Sequence, residues 1–320
     1  MNHWRTKAIL EQFKHGQIIL IDHYKDVFCR RGQDYVKQHN APALILASKQ
    51  GTLIYEGAAV CQSFGNQHFY YTSCVMNCIY DCEYCYLKGM YPSGNLVVFV
   101  NLEDYFAELK KILAIHSAYV CISYDTDLMG LEGITGFVKE WVEFAACHKG
   151  LRLEIRTKCG RTDLWEKLNP QRGVCYAFTL SPQFVIDNYE HKTASLRQRI
   201  VSAKMAIEKG FLVRLCFDPM IYCKDWKEHY HDMLAQILEE IDMNKLTDIS
   251  IGSFRISQDY LKKMRKCQPD SAIVWFPYEN HNGVYHYPRQ LMDEMEQFLE
   301  EKIKEHIPEE KIFRWGDGDE

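Results

Sequence analysis

Four cysteines fall within twelve residues, and their spacing could hold a metal centre. Cys78, Cys82 and Cys85 form a C-x3-C-x2-C pattern, and Cys74 lies four residues before it. Three thiolates on one loop can bind three irons of a [4Fe-4S] cluster and leave the fourth iron open to chelate a cofactor. Thiolates also suit zinc, and Cys74 would complete a four-thiolate set. Zinc ligands usually come from two separated knuckles, so an open cluster is the favoured prediction; structural zinc and unligated thiols are the alternatives.

The overall composition is that of an ordinary folded protein with a slight acidic excess. The chain has 320 residues, of which 47% are hydrophobic and 25% are charged, and its formal net charge is −5. This excludes attachment to nucleic acid through bulk positive charge, although a local basic groove remains compatible with it. No run of 18 apolar residues occurs and the start of the chain is charged, so we expect neither a membrane span nor a signal peptide. The thirteen cysteines are therefore expected to be thiols or metal ligands in a reducing cytoplasm.

Strand and helix patterns alternate from about residue 66 onward. Six strands are predicted, at 68–73, 118–123, 151–157, 174–180, 211–217 and 248–253. Helices are predicted at 102–113, 134–148, 162–168, 194–209, 226–241 and 257–266. Such alternation favours parallel strands joined by right-handed crossovers, which suits an open doubly wound sheet or a partial barrel. The expected fold class is α/β, a partial (β/α)6 TIM-like barrel with its chemistry at the carboxyl ends of the strands.

Two smaller parts flank the predicted barrel. Residues 1–65 are expected to form an N-terminal cap, 66–268 the barrel, and 269–320 a C-terminal attachment. The attachment consists of a β-hairpin at 273–287, turning at Asn282-Gly283, and a helix at 289–305. The polar tail at 316–320 is expected to fray.

The cysteine motif continues into CEYCYL at 82–87, which places a tyrosine on each side of the third cysteine. Two further motifs follow, YEHKTASL at 189–196, and DPMIY at 218–222 followed by DWKEHY at 225–230. These three motifs, in this order, resemble those of the spore photoproduct lyase family within the radical S-adenosylmethionine superfamily. The resemblance implies a lyase of DNA repair with a [4Fe-4S] cluster and S-adenosyl-L-methionine. Through a 5′-deoxyadenosyl radical it would revert spore photoproduct, 5-thyminyl-5,6-dihydrothymine, to two thymines.

The resemblance also implies roles for individual residues. The cluster ligands would be Cys78, Cys82 and Cys85. The residues implied to lie at or near the S-adenosylmethionine are Tyr84, Tyr86, Thr126, Lys158 and Thr179, with the two tyrosines also relaying hydrogen and Lys158 meeting the cofactor carboxylate. The alternative interpretations are a packed ring for Tyr86, a solvated surface lysine for Lys158 and a packing role for Thr179.

The chain departs from the family pattern at the residue that returns hydrogen to the product. Better-known members carry a cysteine just after the second strand, whereas Tyr124 falls at that position here. Another group must then supply the hydrogen. Cys74 is the first choice because it lies four residues before a cluster ligand, Cys121 is the second and Tyr124 the third. A packed, non-catalytic thiol is the alternative for Cys74.

Contact with DNA is expected near the predicted hairpin, where aromatic and basic residues interleave. The candidate substrate-binding residues are Arg255, Tyr285, His286, Tyr287 and Arg289. The expected partners are DNA with a thymine–thymine lesion, extruded from the stack, and an electron donor such as flavodoxin or ferredoxin. The protein is expected to be a monomer in the cytoplasm of a spore or germinating cell. Alternatives are a radical S-adenosylmethionine enzyme with another substrate, a zinc-containing nucleic-acid-binding protein without catalysis, and a hairpin that packs its aromatic side chains inward.

Overall fold

The computed structural model describes residues 2–58 and 61–314, so the tail at 316–320, expected to fray, lies outside the described residues. The strands are β1 (Leu44–Ala47), β2 (Ile54–Glu56), β3 (Phe69–Thr72), β4 (Val75–Met76), β5 (Asp81–Cys82), β6 (Leu96–Phe99), β7 (Ala118–Cys121), β8 (Leu151–Thr157), β9 (Val174–Thr179), β10 (Glu190–His191), β11 (Leu212–Met220), β12 (Asp248–Ser253), β13 (Arg255–Ser257), β14 (Glu279–His281), β15 (Val284–His286) and β16 (Ile312–Arg314). The helices are α1 (Trp4–Leu10), α2 (Lys25–Phe28), α3 (Tyr35–Asn40), α4 (Leu87–Met90), α5 (Leu102–Leu113), α6 (Leu128–Thr135), α7 (Phe137–Ala146), α8 (Gln183–Tyr189), α9 (Leu196–Glu208), α10 (Trp226–Glu240), α11 (Gln258–Cys267) and α12 (Arg289–Lys304).

One large sheet carries the six strands predicted from the sequence. Its order is β16-β12-β11-β9-β8-β7-β3-β2, and all neighbours are parallel except β2 and β3. The predicted strands are β3, β7, β8, β9, β11 and β12, which follow one another across the sheet in chain order. β7 and β9 are buried along their whole length, as expected for parallel strands covered on both faces. The α/β class is confirmed, and the sheet is consistent with a partial barrel.

Several helices differ from the sequence-based expectation for local reasons. The helix predicted at 134–148 corresponds to α7, which begins only at Phe137, because Gly136 adopts a φ of +67° and ends the preceding helix α6, which was not predicted. The helix predicted at 162–168 is a single 3-10 turn over Asp163–Glu166. Asn101 precedes α5, and its side chain binds the backbone of Lys49 and the carboxylate of Asp104 rather than a helix N–H.

The flanking parts are joined to the barrel by hydrogen bonds. β2, from the predicted cap, forms the antiparallel edge of the main sheet, and β1 pairs with β6. The hairpin is β14 and β15, which is shorter than predicted, and it turns at Asn282 and Gly283 with φ of 50° and 83°. β13, from the predicted barrel, adds a third strand to that hairpin. The boundaries at 65 and 268 thus divide the sequence without dividing the hydrogen-bonded sheets.

A short segment bridges the two edges of the main sheet. The segment 61–66, which we call the bridging segment, follows β2, and its Gln62 Nε2 donates to the carbonyl of Arg314 in β16 at 2.8 Å. The Phe64 ring packs edge-on against Phe313 at 5.3 Å, and the Arg214 guanidinium lies 3.2 Å from the Phe64 ring centroid. The bridging segment therefore covers the side on which the strands leave the barrel open. No helix in the described ranges is long and apolar enough to cross a membrane.

Candidate functional site

A cavity of about 330 Å³ lies inside the sheet, where side chains from several parallel strands meet. The loops that follow parallel strands meet at one edge of the sheet, which is the usual place for chemistry in such folds. The residues around the cavity that bear on its chemistry are Cys61, Cys82, Tyr84, Cys85, Tyr86, Cys121, Tyr124, Glu154, Arg156, Lys158, Thr179, Asp218, Phe254, Arg255 and Tyr260.

The cysteine loop is held to the wall of this cavity by a two-residue strand pair. Cys82 in β5 pairs with Glu190 in β10, and the Glu83 N–H donates to the Tyr189 carbonyl at 2.8 Å. Cys82 and Cys85 line the cavity, whereas Cys78, which comes earlier in the same loop, does not. The motifs at 82–87 and 189–196 are therefore neighbours in space.

The surroundings of the three thiols suit a bound cluster better than they suit free thiolates. Burial raises the pKa of Cys82 to about 12, and burial also raises the pKa values of Cys78 and Cys85. The three groups are close enough for each charge to act on the others, so three thiolates need a cationic centre between them. Within the described ranges no three His, Cys, Asp or Glu side chains converge on a single-ion site. A [4Fe-4S] cube does not require such convergence, because each thiolate binds its own iron.

A buried ion pair holds Tyr84 in place behind the cysteine loop. Glu190 accepts hydrogen bonds from Tyr84, from Ser181 at 2.8 Å and from Arg199 at 2.5 Å, and the side chains of Glu190 and Arg199 are fully buried. Burial alone would raise the pKa of Glu190, but Arg199 and Lys158 hold it at about 2. Glu190 is therefore a carboxylate, and the Tyr84 hydroxyl is committed to it.

Two of the residues implied to bind the cofactor line the cavity beside the cluster loop. Lys158 follows β8, and its Nζ lies 5.4 Å from the centroid of the Tyr84 ring. Burial is the largest single influence on Lys158 and lowers its pKa, but Glu190 and the sulfurs of Cys82 and Cys85 together raise the pKa above its usual value, so the ammonium stays charged. Thr179 ends β9 and also lines the cavity. Thr126 is buried, with an Oγ1 that has no hydrogen bond partner, and it does not line the cavity.

Three tyrosines at and near the cavity, Tyr71, Tyr86 and Tyr124, form a connected group. The Tyr86 hydroxyl donates to the Tyr124 carbonyl at 2.5 Å, and Tyr124 stacks on Tyr71 with ring centroids 4.1 Å apart. Tyr86, Tyr124 and Cys121 all line the cavity.

Cys74 lies outside this group. It is fully buried between β3 and β4, with the Trp141 indole beside its thiol, and it does not line the cavity. Its closeness to Cys78 in sequence therefore does not bring its thiol to the site, and its placement gives no support to a donor role or to a four-cysteine zinc set.

Several charged residues of the site were not predicted. Along β8, Glu154, Arg156 and then Lys158 face the cavity, because alternate side chains of a strand point the same way. The Arg156 Nε is buried without a hydrogen bond partner, although Glu154 Oε1 lies 3.3 Å away. Asp218 binds Arg255 at 3.0 Å and lies 3.8 Å from Arg156. The alternation of charged residues at 154, 156 and 158 is the sequence signal that would have revealed this wall.

Of the five predicted substrate residues, only Arg255 lines the cavity. Tyr287 is 1% exposed, and its hydroxyl accepts from the Tyr222 N–H at 3.0 Å, so it belongs to the core. Tyr285 and His286 are partly buried on β15, and Arg289 forms an exposed ion pair with Asp293. The ring of Tyr287 packs inward, so its placement gives no support to the expectation that it contacts DNA.

The sequence is similar to that of known proteins. A family model described as spore photoproduct lyase matches residues 67–315. The spore photoproduct lyase of Clostridium acetobutylicum is 25% identical over 240 residues, which cover 70% of each chain. That of Bacillus subtilis is 20% identical over 297 residues, which cover 88% of this chain and 84% of the other.

Solved structures of spore photoproduct lyase share the fold. One complexed with dinucleoside spore photoproduct has a TM-score of 0.79 at 18% identity, covering 98% of this chain and 94% of that one. A mutant with bound AdoMet and dinucleoside spore photoproduct has a TM-score of 0.77 at 19% identity and the same coverage. Because the family model spans most of the sequence, from 67 to 315, the chain belongs to the spore photoproduct lyase family.

Proposed function

We propose that this protein is a radical S-adenosylmethionine lyase that reverts spore photoproduct in DNA to two thymines. The observation that carries the proposal is one cavity in which cluster cysteines, the Lys158 ammonium and the arginines of β8 and β13 face one another. Relatives with the same fold have been solved with dinucleoside spore photoproduct and with AdoMet.

The cysteine loop and its neighbours would hold the cofactors. Cys78, Cys82 and Cys85 would bind the [4Fe-4S] cluster, and the charged Lys158 would bind the carboxylate of S-adenosylmethionine. When bound, these groups supply a 5′-deoxyadenosyl radical. Tyr84, fixed by Glu190, keeps the wall behind them rigid, so the reacting atoms are held in one geometry.

The part of the cavity around Arg156 and Arg255 would bind the lesion. The Arg156 Nε is buried, pairs with the Glu154 carboxylate at 3.3 Å and makes no hydrogen bond, and Arg255 lies nearby in an ion pair with Asp218. Both can donate to pyrimidine carbonyls or to the phosphate that joins the two thymines. Phe254 and Tyr260 add aromatic surface on which a base can stack. In this enclosed site a hydrogen is removed from C6 of the lesion, the bond between the thymines breaks, and a protein group returns a hydrogen.

DNA would approach over α11, which carries Tyr260 into the cavity wall. Lys262, Lys263 and Lys266 are exposed on the same helix, and the Arg265 guanidinium lies 5.1 Å from the ring centroid of Trp275, which is 54% exposed. A local basic face with one exposed indole suits contact with phosphates and an unstacked base. Because the net charge is −5, we propose modest affinity that falls steeply with salt. We also propose that flavodoxin or ferredoxin supplies electrons and that the protein acts as a monomer.

An anaerobic assay tests the function. The reconstituted protein is reduced and mixed with S-adenosylmethionine and a dinucleotide that contains the lesion, and thymine and 5′-deoxyadenosine are measured. We expect both products from the wild type and from Cys29→Ser, which changes an exposed cysteine that does not line the cavity, and neither from Cys82→Ala. Iron and sulfide should be present in the first two proteins. Cofactor cleavage without thymine would instead support a radical enzyme with another substrate, and a colourless, zinc-containing protein would support a binding protein.

A further inference from the structure

We infer that Cys61 is the thiol that returns hydrogen to the product, in place of the cysteine that is missing after β7. The inference rests on the proposed function and identifies a catalytic residue for it. Cys61 is the first described residue of the bridging segment, and it lines the cavity together with Cys82 and Cys85. None of the motifs that carry the family resemblance contains it.

Cys61 and Tyr124 meet at the position where the donor is needed. The Cys61 thiol donates a weak hydrogen bond to the Tyr124 hydroxyl, with Sγ and Oη 3.8 Å apart. Tyr124 follows β7, at the position where the family pattern has a cysteine. The backbone at 124 thus carries a phenol, and the bridging segment, remote in sequence, brings a thiol beside it.

The surroundings keep this thiol protonated and directed toward the cavity. Burial raises the pKa of Cys61, although Arg156 and Tyr124 act in the other direction. Arg156 and Arg255 are close enough to act on its charge, so Cys61 lies beside the groups proposed to bind the lesion. A thiol carries the hydrogen atom that the reaction needs, whereas a thiolate does not.

The step is a transfer of one hydrogen atom. After the bond between the thymines breaks, the unpaired electron lies on a carbon of one thymine. The S–H bond of Cys61 breaks homolytically and a C–H bond forms at that carbon, which leaves a closed-shell thymine and a thiyl radical on Cys61. One electron from the low-potential donor that serves this enzyme, with one proton from solvent, restores the thiol.

The other candidates fit less well. Cys74 is sealed in the core beside Trp141 and does not reach the cavity. Cys121 does line the cavity, but it lies within β7 opposite Glu154, among the charged side chains that surround Arg214. A phenol O–H is a poorer donor than a thiol S–H, so Tyr124 positions Cys61 rather than replacing it. Cys121 is therefore included in the test.

The experiment compares variants of the full, reconstituted protein on the lesion dinucleotide in D2O. Cys61→Ser keeps a hydroxyl that can bind Tyr124 but has an O–H bond too strong to quench a carbon radical. We expect Cys61→Ser to form 5′-deoxyadenosine normally while thymine per 5′-deoxyadenosine falls at least tenfold and other products appear. The deuterium that the wild type places in the thymine methyl group should disappear. Cys147→Ser, an exposed cysteine after α7, should match the wild type.

A second measurement does not depend on turnover. Maleimide labelling at pH 8, read by mass spectrometry, should show Cys61 protected at least fivefold by the lesion dinucleotide, while the exposed Cys29 and Cys147 label equally with and without it. Three results would each overturn the role of Cys61 and leave the proposed function standing. They are a normal thymine yield from Cys61→Ser, a loss of thymine from Cys121→Ala but not from Cys61→Ser, and equal labelling of Cys61 with and without the lesion dinucleotide. Cofactor cleavage without thymine in the wild type would overturn both.

Discussion

Replacing Glu190 with glutamine should destabilise the protein by about 3–5 kcal/mol at pH 7. Glu190 and Arg199 are fully buried, so the substitution leaves the Arg199 guanidinium without its counter-charge, and breaking a buried pair in this way typically costs about 3–5 kcal/mol. The lowered pKa of Glu190 corresponds to a similar free energy. Its value of about 2, against 4.5 for an ordinary glutamate, corresponds to about 3 kcal/mol at roughly 1.4 kcal/mol per pKa unit.

The stabilisation that Glu190 provides depends on pH. Because the folded pKa is lowered, the stabilisation is present above about pH 4.5 and is lost as the pH falls toward 2. Glu190→Gln lacks this contribution at every pH. The difference in unfolding free energy between wild type and variant should therefore be largest near neutrality and shrink on acidification.

Anaerobic urea unfolding followed by tryptophan fluorescence, at pH 7 and in steps down to pH 4, measures the difference. Glu294→Gln is the matched control, because Glu294 forms an ion pair with Lys227 at 2.6 Å in which both side chains are about half exposed. Exposed pairs contribute about 0–1 kcal/mol, so this control should remain near wild type. A loss below about 1 kcal/mol for Glu190→Gln, or a difference that grows in acid, would show that the pair does not stabilise the fold as reasoned.

Three further substitutions test local features. Gly89→Ala should loosen α4 from α11 and lower iron retention, because a Cβ at Gly89 would lie 2.5 Å from the Tyr260 carbonyl oxygen; unchanged iron content and stability would contradict this close approach. Arg156→Met should weaken binding of the lesion dinucleotide at least tenfold while cofactor cleavage without substrate persists, measured by titration and by 5′-deoxyadenosine; equal affinity would remove Arg156 from the lesion site. Ser195→Ala should cost about 1 kcal/mol in urea unfolding, because it removes the capping box with Gln198, and Ser195→Asp should restore most of the loss.

The α/β fold was predictable because most strands of the main sheet are short apolar runs followed by a separate helical pattern. Local chemistry explains where the elements differ. Gly136 interrupts a continuous apolar pattern by adopting a left-handed conformation, and the pattern alone does not report that. β16 and β2 were missed because a three-residue edge strand has too few residues to show a period.

The site was predictable where motif and strand end coincide, as for Cys82, Lys158 and Thr179. Other residues of the site were not predictable, because residues close in sequence are not always close in space. Cys74 is near the motif but its thiol lies in the core, whereas Cys61 is seventeen residues before Cys78 and reaches the cavity. Only the path of the bridging segment across the barrel decides between them.

The bridging segment allows the proposed hydrogen donor to lie outside the strands that form the barrel. The residue at 124, just after β7, packs against Tyr71 and Tyr86, so exchanging it disturbs this group of rings. The bridging segment is instead attached at a few points, chiefly through Gln62 and Phe64. Its first residue can change identity with little cost to the framework, which leaves the closing step of the reaction open to revision while the barrel stays constant.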